Sequence, residues 1–474
     1  NYSYDTENLA EIFFPYEKIK MMTNMPQNTE SGIIVYTGIS DGMITVCAYI
    51  EGVKTEDTVK IEEAQDEKNA LSLLFYRVLS KATGDTYPWG ILYGVRPARF
   101  YHSLADKFSP DYAQKVLRDK FLVSDGKISL VSAVAESENK IIPLSGRNSF
   151  SLYVSIPFCP TRCSYCSFVS HSIERAASLL DDYVELLEKE LEETGRYVKE
   201  LGLKLETVYF GGGTPTTLSA SQLSRVLGAV ERNFDLSQLR EYTVEAGRPD
   251  TVTEKKLTVL KSAGVGRISI NPQTFNDEVL NVIGRRHTSA QTLQAYDTAV
   301  NCGFENINMD FIAGLPKDTL RSFTNSIETA LKLAPSNITV HTLCLKTGAF
   351  MTSHGMPDKA LAADMVEFSR NALTSAGYKP YYMYRQGKSV GNLENTGWCT
   401  QGHDCLYNVF MMDETHTVLA AGAGAVTRLK NPENGKIERI YNYKYPYEYI
   451  GHFDEILRRK HKISDFYKEI VNCS

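Results

Sequence analysis

From residue 151 to residue 342 the sequence alternates short β-rich runs with amphipathic helical stretches, and this alternation constrains the fold more than any other feature. A strand followed by a helix and a second parallel strand is the βα unit, which buries a sheet beneath helices. The predicted strands are 151–156, 207–210, 241–245, 267–270, 306–312 and 337–342, and the predicted helices between them are 176–201, 219–233, 253–263, 290–302 and 319–333. Six such units indicate an α/β protein with a partial or complete barrel, whose functional residues follow the carboxyl ends of the strands. In a doubly wound sheet, functional residues would also follow the carboxyl ends of the strands.

The sequences on either side of this alternation have other patterns. Residues 33–50 predict a hairpin around Asp41 and Gly42, and residues 62–83 predict a helix. Turn residues at 145–148 mark one boundary, and the βα rhythm ends after the aromatic run at 381–384. We therefore predict three domains: an N-terminal α+β module over 1–148, the barrel over 149–386 and a small C-terminal α+β module over 387–474.

Composition excludes several classes of protein. The 474 residues include 57 acidic and 51 basic side chains, so the net charge of −6 lacks the basic surplus of a typical nucleic-acid binder. No apolar run approaches the ~20 residues that span a bilayer, and the acidic start differs from a secretory signal. Nine cysteines are too few for a disulfide scaffold and indicate a reducing compartment. We expect a cytoplasmic protein with no nucleic-acid partner and no membrane span.

Three of the nine cysteines form the strongest motif in the chain. Cys159, Cys163 and Cys166 have the spacing C-x3-C-x2-C and directly follow the first predicted barrel strand. Three thiolates can hold three irons of a 4Fe–4S cluster and leave the fourth iron open to a substrate or cofactor. A zinc site is the alternative, although zinc usually recruits a fourth cysteine or histidine nearby. The spacing favours a cluster, with these cysteines as metal ligands and catalytic residues.

The motif resembles the signature of the radical S-adenosylmethionine (SAM) superfamily, which has an aromatic residue before the third cysteine, here Tyr165. Within that superfamily, residues 152–159 (LYVSIPFC) and 211–216 (GGGTPT) resemble the anaerobic coproporphyrinogen III dehydrogenase family. The resemblance covers residues 151–428, and the N-terminal module together with residues 387–428 resembles the HemZ-type branch of that family. It implies a partial (β/α)6 radical SAM barrel.

The resemblance also implies the cofactors and their contacts. The cofactors are a 4Fe–4S cluster on the three cysteines and one or two molecules of SAM. The residues at family positions that contact SAM are Tyr153, Tyr165, Gly212, Gly213, Thr214, Glu245, Gln273, Arg285 and Asp310, of which the last three match contacts to a second SAM. Each of these residues could instead have a purely structural role. The glycines could form a tight turn, Glu245 could cap a helix, and Asp310 could pair with another side chain inside the barrel.

For the family, the resemblance implies one-electron chemistry on a tetrapyrrole substrate. The reduced cluster splits SAM into methionine and a 5′-deoxyadenosyl radical. The radical removes hydrogen from a propionate of coproporphyrinogen III, which then loses carbon dioxide and an electron to leave a vinyl group. A flavodoxin- or ferredoxin-type protein is the implied electron donor. Propionates need cations, and the candidates are Arg285, Arg286, Arg96 and Arg385.

Two departures from the family pattern leave the reaction open. Ser155 stands where the family's dehydrogenases carry histidine, and Phe168 stands where they carry a further cysteine. Related chains with phenylalanine at that position include haem-binding chaperones and haem-modifying enzymes. The alternatives to oxidative decarboxylation are therefore a haem-methylating or ring-opening radical enzyme and a haem-binding chaperone without porphyrin turnover.

Other chemistry-bearing residues have more ordinary interpretations. Cys399, His403 and Cys405 offer three ligands in seven residues, but ordinary reduced thiols are favoured over a second metal site. His341 and His416 lie in apolar runs, which is typical of satisfied core histidines rather than haem ligands. The glycine-alanine run at 420–425 predicts a tight packing turn.

Overall fold

The computed structural model of the chain describes residues 2–23, 32–61, 66–94, 96–166, 171–345 and 356–473. Its strands are β1 (Ile33–Ser40), β2 (Met43–Ile50), β3 (Val53–Lys60), β4 (Ser149–Ile156), β5 (Phe158–Cys159), β6 (His171–Ser172), β7 (Lys204–Gly212), β8 (Glu241–Glu245), β9 (Arg267–Ser269), β10 (Asn306–Ala313), β11 (Asn337–Thr342), β12 (Lys379–Arg385), β13 (Glu394–Cys399), β14 (Thr417–Ala421), β15 (Val426–Lys430) and β16 (Ile437–Tyr441). Its helices are α1 (Ser3–Phe13), α2 (Glu67–Thr83), α3 (Pro97–Lys107), α4 (Pro110–Phe121), α5 (Asp125–Ile141), α6 (Ile173–Ala176), α7 (Leu180–Leu201), α8 (Ala220–Asn233), α9 (Glu254–Ser262), α10 (Asp277–Val282), α11 (Ser289–Asn301), α12 (Leu320–Leu333), α13 (Lys359–Ser375), α14 (Leu406–Asp413), α15 (Pro446–Gly451) and α16 (Phe453–Cys473). The chain forms two compact units: the first contains the described residues up to Ala135 with the segments 344–345 and 383–394, and the second contains the others.

The first unit has an antiparallel sheet in the order β1-β2-β3, and α2 packs against it. The predicted hairpin is confirmed, because β1 and β2 join at Asp41 and Gly42, whose φ angles of 51° and 72° suit a tight turn between twisted strands. β3 is not among the predicted strands, because its residues are mostly polar and exposed. The predicted helix is confirmed from Glu67, where the Asp66 side chain accepts hydrogen bonds from two backbone N–H groups. Residues 62–65 of that prediction lie outside the described residues.

The second unit is built around an 11-stranded mixed sheet in the order β12-β13-β11-β10-β9-β8-β7-β4-β14-β15-β16. The strands β4, β7, β8, β9, β10 and β11 are parallel neighbours in chain order, as expected when each βα unit adds one strand beside the last. This is the partial (β/α)6 arrangement of the predicted barrel. All six predicted strands are confirmed, and their ends move by no more than three residues.

Local sequence explains where these elements begin and how they are covered. Residues of β4 and β8 are almost all buried, as expected for parallel strands beneath helices. The helices α8, α11 and α12 begin with capping boxes at Ser219, Thr288 and Thr319, which satisfy N–H groups of the first turn. The helix predicted from residue 176 begins at Leu180 as α7, after the short α6 and a 3-10 turn. No helix in the described part of the chain is long and apolar enough to cross a membrane.

The residues predicted as a C-terminal module extend the barrel sheet. β14 pairs in parallel with β4, and β15 and β16 continue the sheet in antiparallel pairs. Glu190 on α7 and Lys460 on α16 are almost completely buried and form an ion pair of 2.9 Å. Strands from both sides of the predicted boundary at residues 386 and 387 therefore belong to one sheet. The domain boundaries proposed from sequence stay predictions.

Candidate functional site

The three predicted cluster ligands lie on one loop at the carboxyl end of β4, the position expected for functional residues of a βα barrel. We call residues 158–166 the cysteine loop. It begins at β5, which pairs with β6, and it turns where the Cys166 N–H donates to the Cys163 carbonyl at 3.2 Å. The Ser164 N–H donates to the Ile283 carbonyl at 3.1 Å, which ties the loop to the end of α10. All three cysteines are free of disulfides, Cys163 is buried and Cys159 and Cys166 are half-buried.

Hydrogen-bond donors surround two of the cysteine sulfurs. The Thr214 hydroxyl donates to Cys159 Sγ at 3.5 Å, and Arg248 Nη1 lies 4.0 Å from Cys163 Sγ. Positive charge and N–H or O–H donors near sulfur favour the thiolate, which is the form that binds iron. Thr214 is among the predicted site residues, whereas Arg248 is not. The available signal was its position, three residues after the carboxyl end of β8.

Arg285 joins the cysteine loop to two strand ends. The guanidinium is buried, and its Nη1 donates to the Asn271 carbonyl at 2.6 Å and to the Gly247 carbonyl at 3.5 Å. It also lies close enough to Tyr165 and Cys163 to interact with them electrostatically. Burial acts to lower the pKa of Arg285, but Tyr165 and Cys163 outweigh burial and raise it overall. Two residues predicted to contact SAM, Tyr165 and Arg285, thus lie beside the predicted cluster.

The glycines at the end of β7 allow the strand end to approach the cysteine loop. Gly212 has a φ angle of +101°, and a Cβ there would lie 2.8 Å from the Ser155 hydroxyl oxygen. A Cβ at Gly213 would lie 2.6 Å from the Phe158 carbonyl oxygen. The Gly213 N–H donates to the Ile156 carbonyl at 2.8 Å, which continues the pairing with β4. The structure therefore supplies a backbone reason for both glycines, and their contact with SAM stays a prediction.

Glu245 ends β8 in the barrel interior, as the sequence predicts. The Tyr209 hydroxyl donates to its carboxylate at 2.6 Å. Burial, opposed by that hydrogen bond and assisted by the charge of Asp310, raises the pKa of Glu245 to about 7. Near neutral pH this carboxyl group can therefore accept or donate a hydrogen bond to a ligand.

Gln273 and Asp310 are joined by a backbone hydrogen bond between the segment after β9 and β10. The Gln273 N–H donates to the Asp310 carbonyl at 2.9 Å, and Gln273 has a φ angle of 68°, which is unusual for a residue with a side chain. Its side-chain Oε1 is buried and, within the described residues, has no hydrogen-bond partner. The Asp310 carboxylate accepts from Asn308 at 2.7 Å and lies 3.7 Å from His341 Nε2. Burial acts to raise the pKa of Asp310, but His341, Asn308 and Thr339 together outweigh it, and the pKa is lowered.

Three stacked tyrosine rings lie beside Glu245. Tyr209 and Tyr407 have ring centroids 4.4 Å apart, and Tyr153 stacks near both, at 6.2 Å from Tyr209 and 6.1 Å from Tyr407. Tyr153 is among the predicted SAM contacts. Tyr209 and Tyr407 are not among the predicted site residues, because a tyrosine in a strand or helix has the same sequence pattern whether it packs in a core or lines a site.

The arginines proposed for propionates have separate surroundings. Arg286 is exposed and pairs with Glu174 at 2.7 Å. Arg385 is buried in the first unit, where it donates to the Leu92 carbonyl at 2.6 Å, and burial lowers its pKa to about 10. Arg96 also belongs to the first unit, as the residue before α3. Of the four, Arg285 lies at the cysteine loop.

The cysteines near the end of β13 have the surroundings of ordinary thiols. Cys399 Sγ contacts the Asp404 carboxylate at 3.5 Å, and Cys405 Sγ donates to Glu241 at 3.2 Å. Burial raises the pKa of both thiols, which disfavours the metal-binding thiolate. Among the described residues no three His, Cys, Asp or Glu side chains are grouped to hold a single metal ion. The ligands of a 4Fe–4S cluster need not form such a group, because each thiolate binds a different iron.

Two of the remaining sequence features are structural. The Ser155 hydroxyl donates to the Ala423 carbonyl at 2.8 Å, so the glycine-alanine turn packs against the end of β4. His416 lies between the hydroxyls of Ser145 and Ser151, each 2.7 Å from a ring nitrogen, and is a satisfied core histidine as predicted. Phe168 lies outside the described residues.

Comparison with known proteins gives a consistent family relationship. Residues 153–330 match the family model described as the Radical SAM superfamily. The chain is 34% identical to the oxygen-independent coproporphyrinogen-III oxidase-like protein HemZ of Bacillus subtilis, over 96% of this chain and 94% of that protein. It is 31% identical to the heme chaperone HemW of Lactococcus lactis, over 66% of this chain and 79% of that protein.

One solved structure supports the fold. Coproporphyrinogen III oxidase (HemN) from Escherichia coli, described as a radical SAM enzyme, matches with a TM-score of 0.53 and 23% sequence identity. The match covers 68% of this chain and 72% of that chain. At this level of identity the likeness shows a shared fold.

Proposed function

Because the chain belongs to the radical SAM superfamily and, within it, to the family of oxygen-independent coproporphyrinogen-III oxidase-like proteins, we propose that it oxidatively decarboxylates propionate side chains of coproporphyrinogen III to vinyl groups. The observation that carries the proposal is the likeness to HemZ, which extends over 96% of this chain and so includes both of its units. A tetrapyrrole is the proposed substrate, and a flavodoxin- or ferredoxin-type protein is the proposed electron donor.

The cofactors of the family are a 4Fe–4S cluster and SAM, and the residues of this chain fit both. Cys159, Cys163 and Cys166 lie on one loop, form no disulfide and would hold the cluster. The unpartnered Oε1 of Gln273 is an acceptor suited to an ammonium or hydroxyl group of SAM. When bound, these cofactors supply a one-electron cleavage of SAM into methionine and a 5′-deoxyadenosyl radical.

The side chains of the barrel interior have distinct proposed tasks. Glu245 and Tyr209 form a hydrogen-bonded pair that can bind ribose hydroxyls or the SAM ammonium. The stacked rings of Tyr153 and Tyr407 offer a flat apolar wall against which a macrocycle can lie and from which water is excluded. In the reaction each propionate gives one hydrogen atom to the radical, one carbon dioxide to solution and one electron to an acceptor. The cation that binds the propionate stays a prediction.

A haem-binding chaperone is the second candidate. The observation in its favour is the 31% identity to the heme chaperone HemW of Lactococcus lactis over 79% of that protein. Ser155, in the place of the family's histidine, donates to a backbone carbonyl, so that hydroxyl is engaged within the fold. A chaperone would retain haem in a fixed ratio and form no new vinyl group.

A single anaerobic assay separates the candidates. The protein is reconstituted with iron and sulfide, reduced with dithionite, and given SAM together with coproporphyrinogen III, with haem, or with neither tetrapyrrole. We expect 5′-deoxyadenosine, carbon dioxide and new vinyl groups to form together when the porphyrinogen is present. Haem retention in a fixed ratio without 5′-deoxyadenosine would replace the proposal with the chaperone. An alkylated or linear tetrapyrrole would replace it with a haem-modifying enzyme.

A further inference from the structure

Arg248 is a buried arginine that the predicted SAM contacts do not include. Its side chain is 3% exposed. Nη1 and Nη2 donate to the carbonyl oxygen and the hydroxyl oxygen of Thr161, at 3.3 Å and 3.1 Å, and Nη1 lies 4.0 Å from Cys163 Sγ. An arginine keeps its positive charge throughout the physiological pH range. A permanent cation therefore lies next to one of the cluster ligands.

Asp250 holds this guanidinium in position. Its two carboxylate oxygens accept from Nε and Nη2 of Arg248, each at 3.2 Å. This contact fixes the guanidinium with Nη1 toward the cysteine loop. Asp250 is 22% exposed and Arg248 is 3% exposed, so water screens the carboxylate more than the cation. The net electrostatic effect of the pair at Cys163 is therefore positive.

The charge change on reduction sets the sign of the effect. One electron from a reductant adds one negative charge to the cluster and its three thiolates, and no bond to Arg248 forms or breaks. A fixed cation in a water-poor site stabilises the more negative state. Hydrogen bonds to the sulfurs, net charge and solvent exposure are the factors through which a protein sets a cluster potential. Arg248 supplies a charge and an N–H donor at the same sulfur.

We propose that Arg248 raises the reduction potential of the 4Fe–4S cluster through its contact with Cys163, and so makes reduction by the electron donor more favourable. Arg248 acts through a cluster ligand and is a positioning residue. Arg285 also interacts electrostatically with Cys163, so loss of Arg248 leaves one cation near this cysteine and shifts the potential without abolishing the cluster. The inference depends on the cluster and not on the proposed tetrapyrrole reaction.

The test compares the midpoint potential of the reconstituted full-length protein with that of three variants. Each protein is titrated anaerobically with dithionite, and the reduced cluster is measured by electron paramagnetic resonance without SAM or tetrapyrrole. We expect Arg248→Gln to lower the equilibrium constant for reduction at least tenfold, which is about 59 mV for one electron. Asp250→Asn removes the opposing charge and is expected to raise the potential. Arg232→Gln, at a side chain that is 65% exposed on α8, is the control and should leave the potential unchanged.

The expected shifts of the midpoint potential, downward in Arg248→Gln and upward in Asp250→Asn, distinguish an electrostatic effect from a purely structural one. Wild-type potentials in both Arg248→Gln and Asp250→Asn, or shifts in the same direction, would overturn the proposal. If Arg248→Gln does not retain iron, Arg248→Lys and Asp250→Asn are measured instead. Arg248→Lys should keep a potential near that of the wild type. An unchanged potential in Asp250→Asn would overturn the proposal. A failure of the decarboxylation assay leaves these potentials unaffected, so the two proposals fail separately.

Discussion

Cys163 is the buried member of the three predicted cluster ligands, and replacing it tests the cluster directly. Cys163→Ala leaves two thiolates on the cysteine loop, which is too few to hold a cluster that has three irons bound by cysteine and a fourth iron open. We expect the variant to lose most of its iron, the brown absorbance of the cluster and all SAM cleavage. Iron analysis, visible spectra and 5′-deoxyadenosine quantification check the three outcomes.

Cys302→Ala is the matched control for this substitution. Cys302 is a half-buried free cysteine that follows α11, outside the cysteine loop. This variant should keep wild-type iron content and SAM cleavage. Continued SAM cleavage by Cys163→Ala would contradict the assignment of Cys163 as a cluster ligand.

His416 makes the stability of the protein depend on pH. Burial, assisted by the charge of Lys430, lowers the pKa of this histidine from its usual 6.5 to about 3. The unfolded chain therefore binds a proton between these values that the folded chain does not, and stability falls as the pH falls through 6.5. From about pH 7 to about pH 5, His416 is expected to remove about 2 kcal/mol from the free energy of unfolding. Urea unfolding of the anaerobic wild type and of His416→Asn measures this, and equal pH slopes would contradict it.

Some of the candidate site residues could be predicted from the spacing of residues in the sequence, and others could not. The cysteines and Glu245 could be identified because a motif and a strand end mark them. The position of Arg248 after the end of β8 marks it as a candidate but does not reveal its contact with Cys163, and Tyr407 has no such mark because its partner Tyr209 is distant in sequence. A lone arginine or tyrosine carries no local signal of such a partner.

The junction of β7 with the cysteine loop is an element-scale feature with a steric test. A Cβ at Gly213 would lie 2.6 Å from the Phe158 carbonyl oxygen and 2.8 Å from its backbone nitrogen. Because both are backbone atoms, Gly213→Ala must displace β5, which begins the cysteine loop. We expect this variant to fold but to retain less than about half of the wild-type iron after reconstitution, since the ligands are no longer aligned. Iron and sulfide analysis measures the loss.

Gly266→Ala is the control for added volume in the same sheet. Gly266 precedes β9, and no atom lies within 4 Å of a Cβ built there. The variant should reconstitute as the wild type does. Equal iron content in Gly213→Ala and Gly266→Ala would show that the close approach of β7 does not position the cysteine loop.

At the scale of the whole second unit, a buried network joins the C-terminal residues to the barrel. Glu190 pairs with Lys460 at 2.9 Å and accepts hydrogen bonds from the Gly422 N–H and the Tyr449 hydroxyl, each at 2.7 Å. Lys460→Met leaves the Glu190 charge without its cation in a buried site. We expect a loss of about 3–5 kcal/mol in the free energy of unfolding, measured by urea unfolding under anaerobic conditions.

Two further variants make this result specific. Lys462→Met, two residues along α16 at an exposed position, should be nearly neutral. Glu190→Gln combined with Lys460→Met removes the unpaired charge and should be more stable than Lys460→Met alone. A double variant less stable than the single one would show that packing, rather than charge, dominates this network.

The sequence by itself determined the six βα units, the cysteine loop after the first of them and the family, because strand patterns, helix caps and cysteine spacing are local properties. Only the tertiary structure decided that residues after 386 add strands to the same sheet, and that Arg248 reaches Cys163. It also decided that Tyr407 completes the ring stack and that Lys460 neutralises Glu190. These contacts join residues far apart in sequence, and their free energy depends on burial and on the partner's charge, neither of which a sequence pattern encodes.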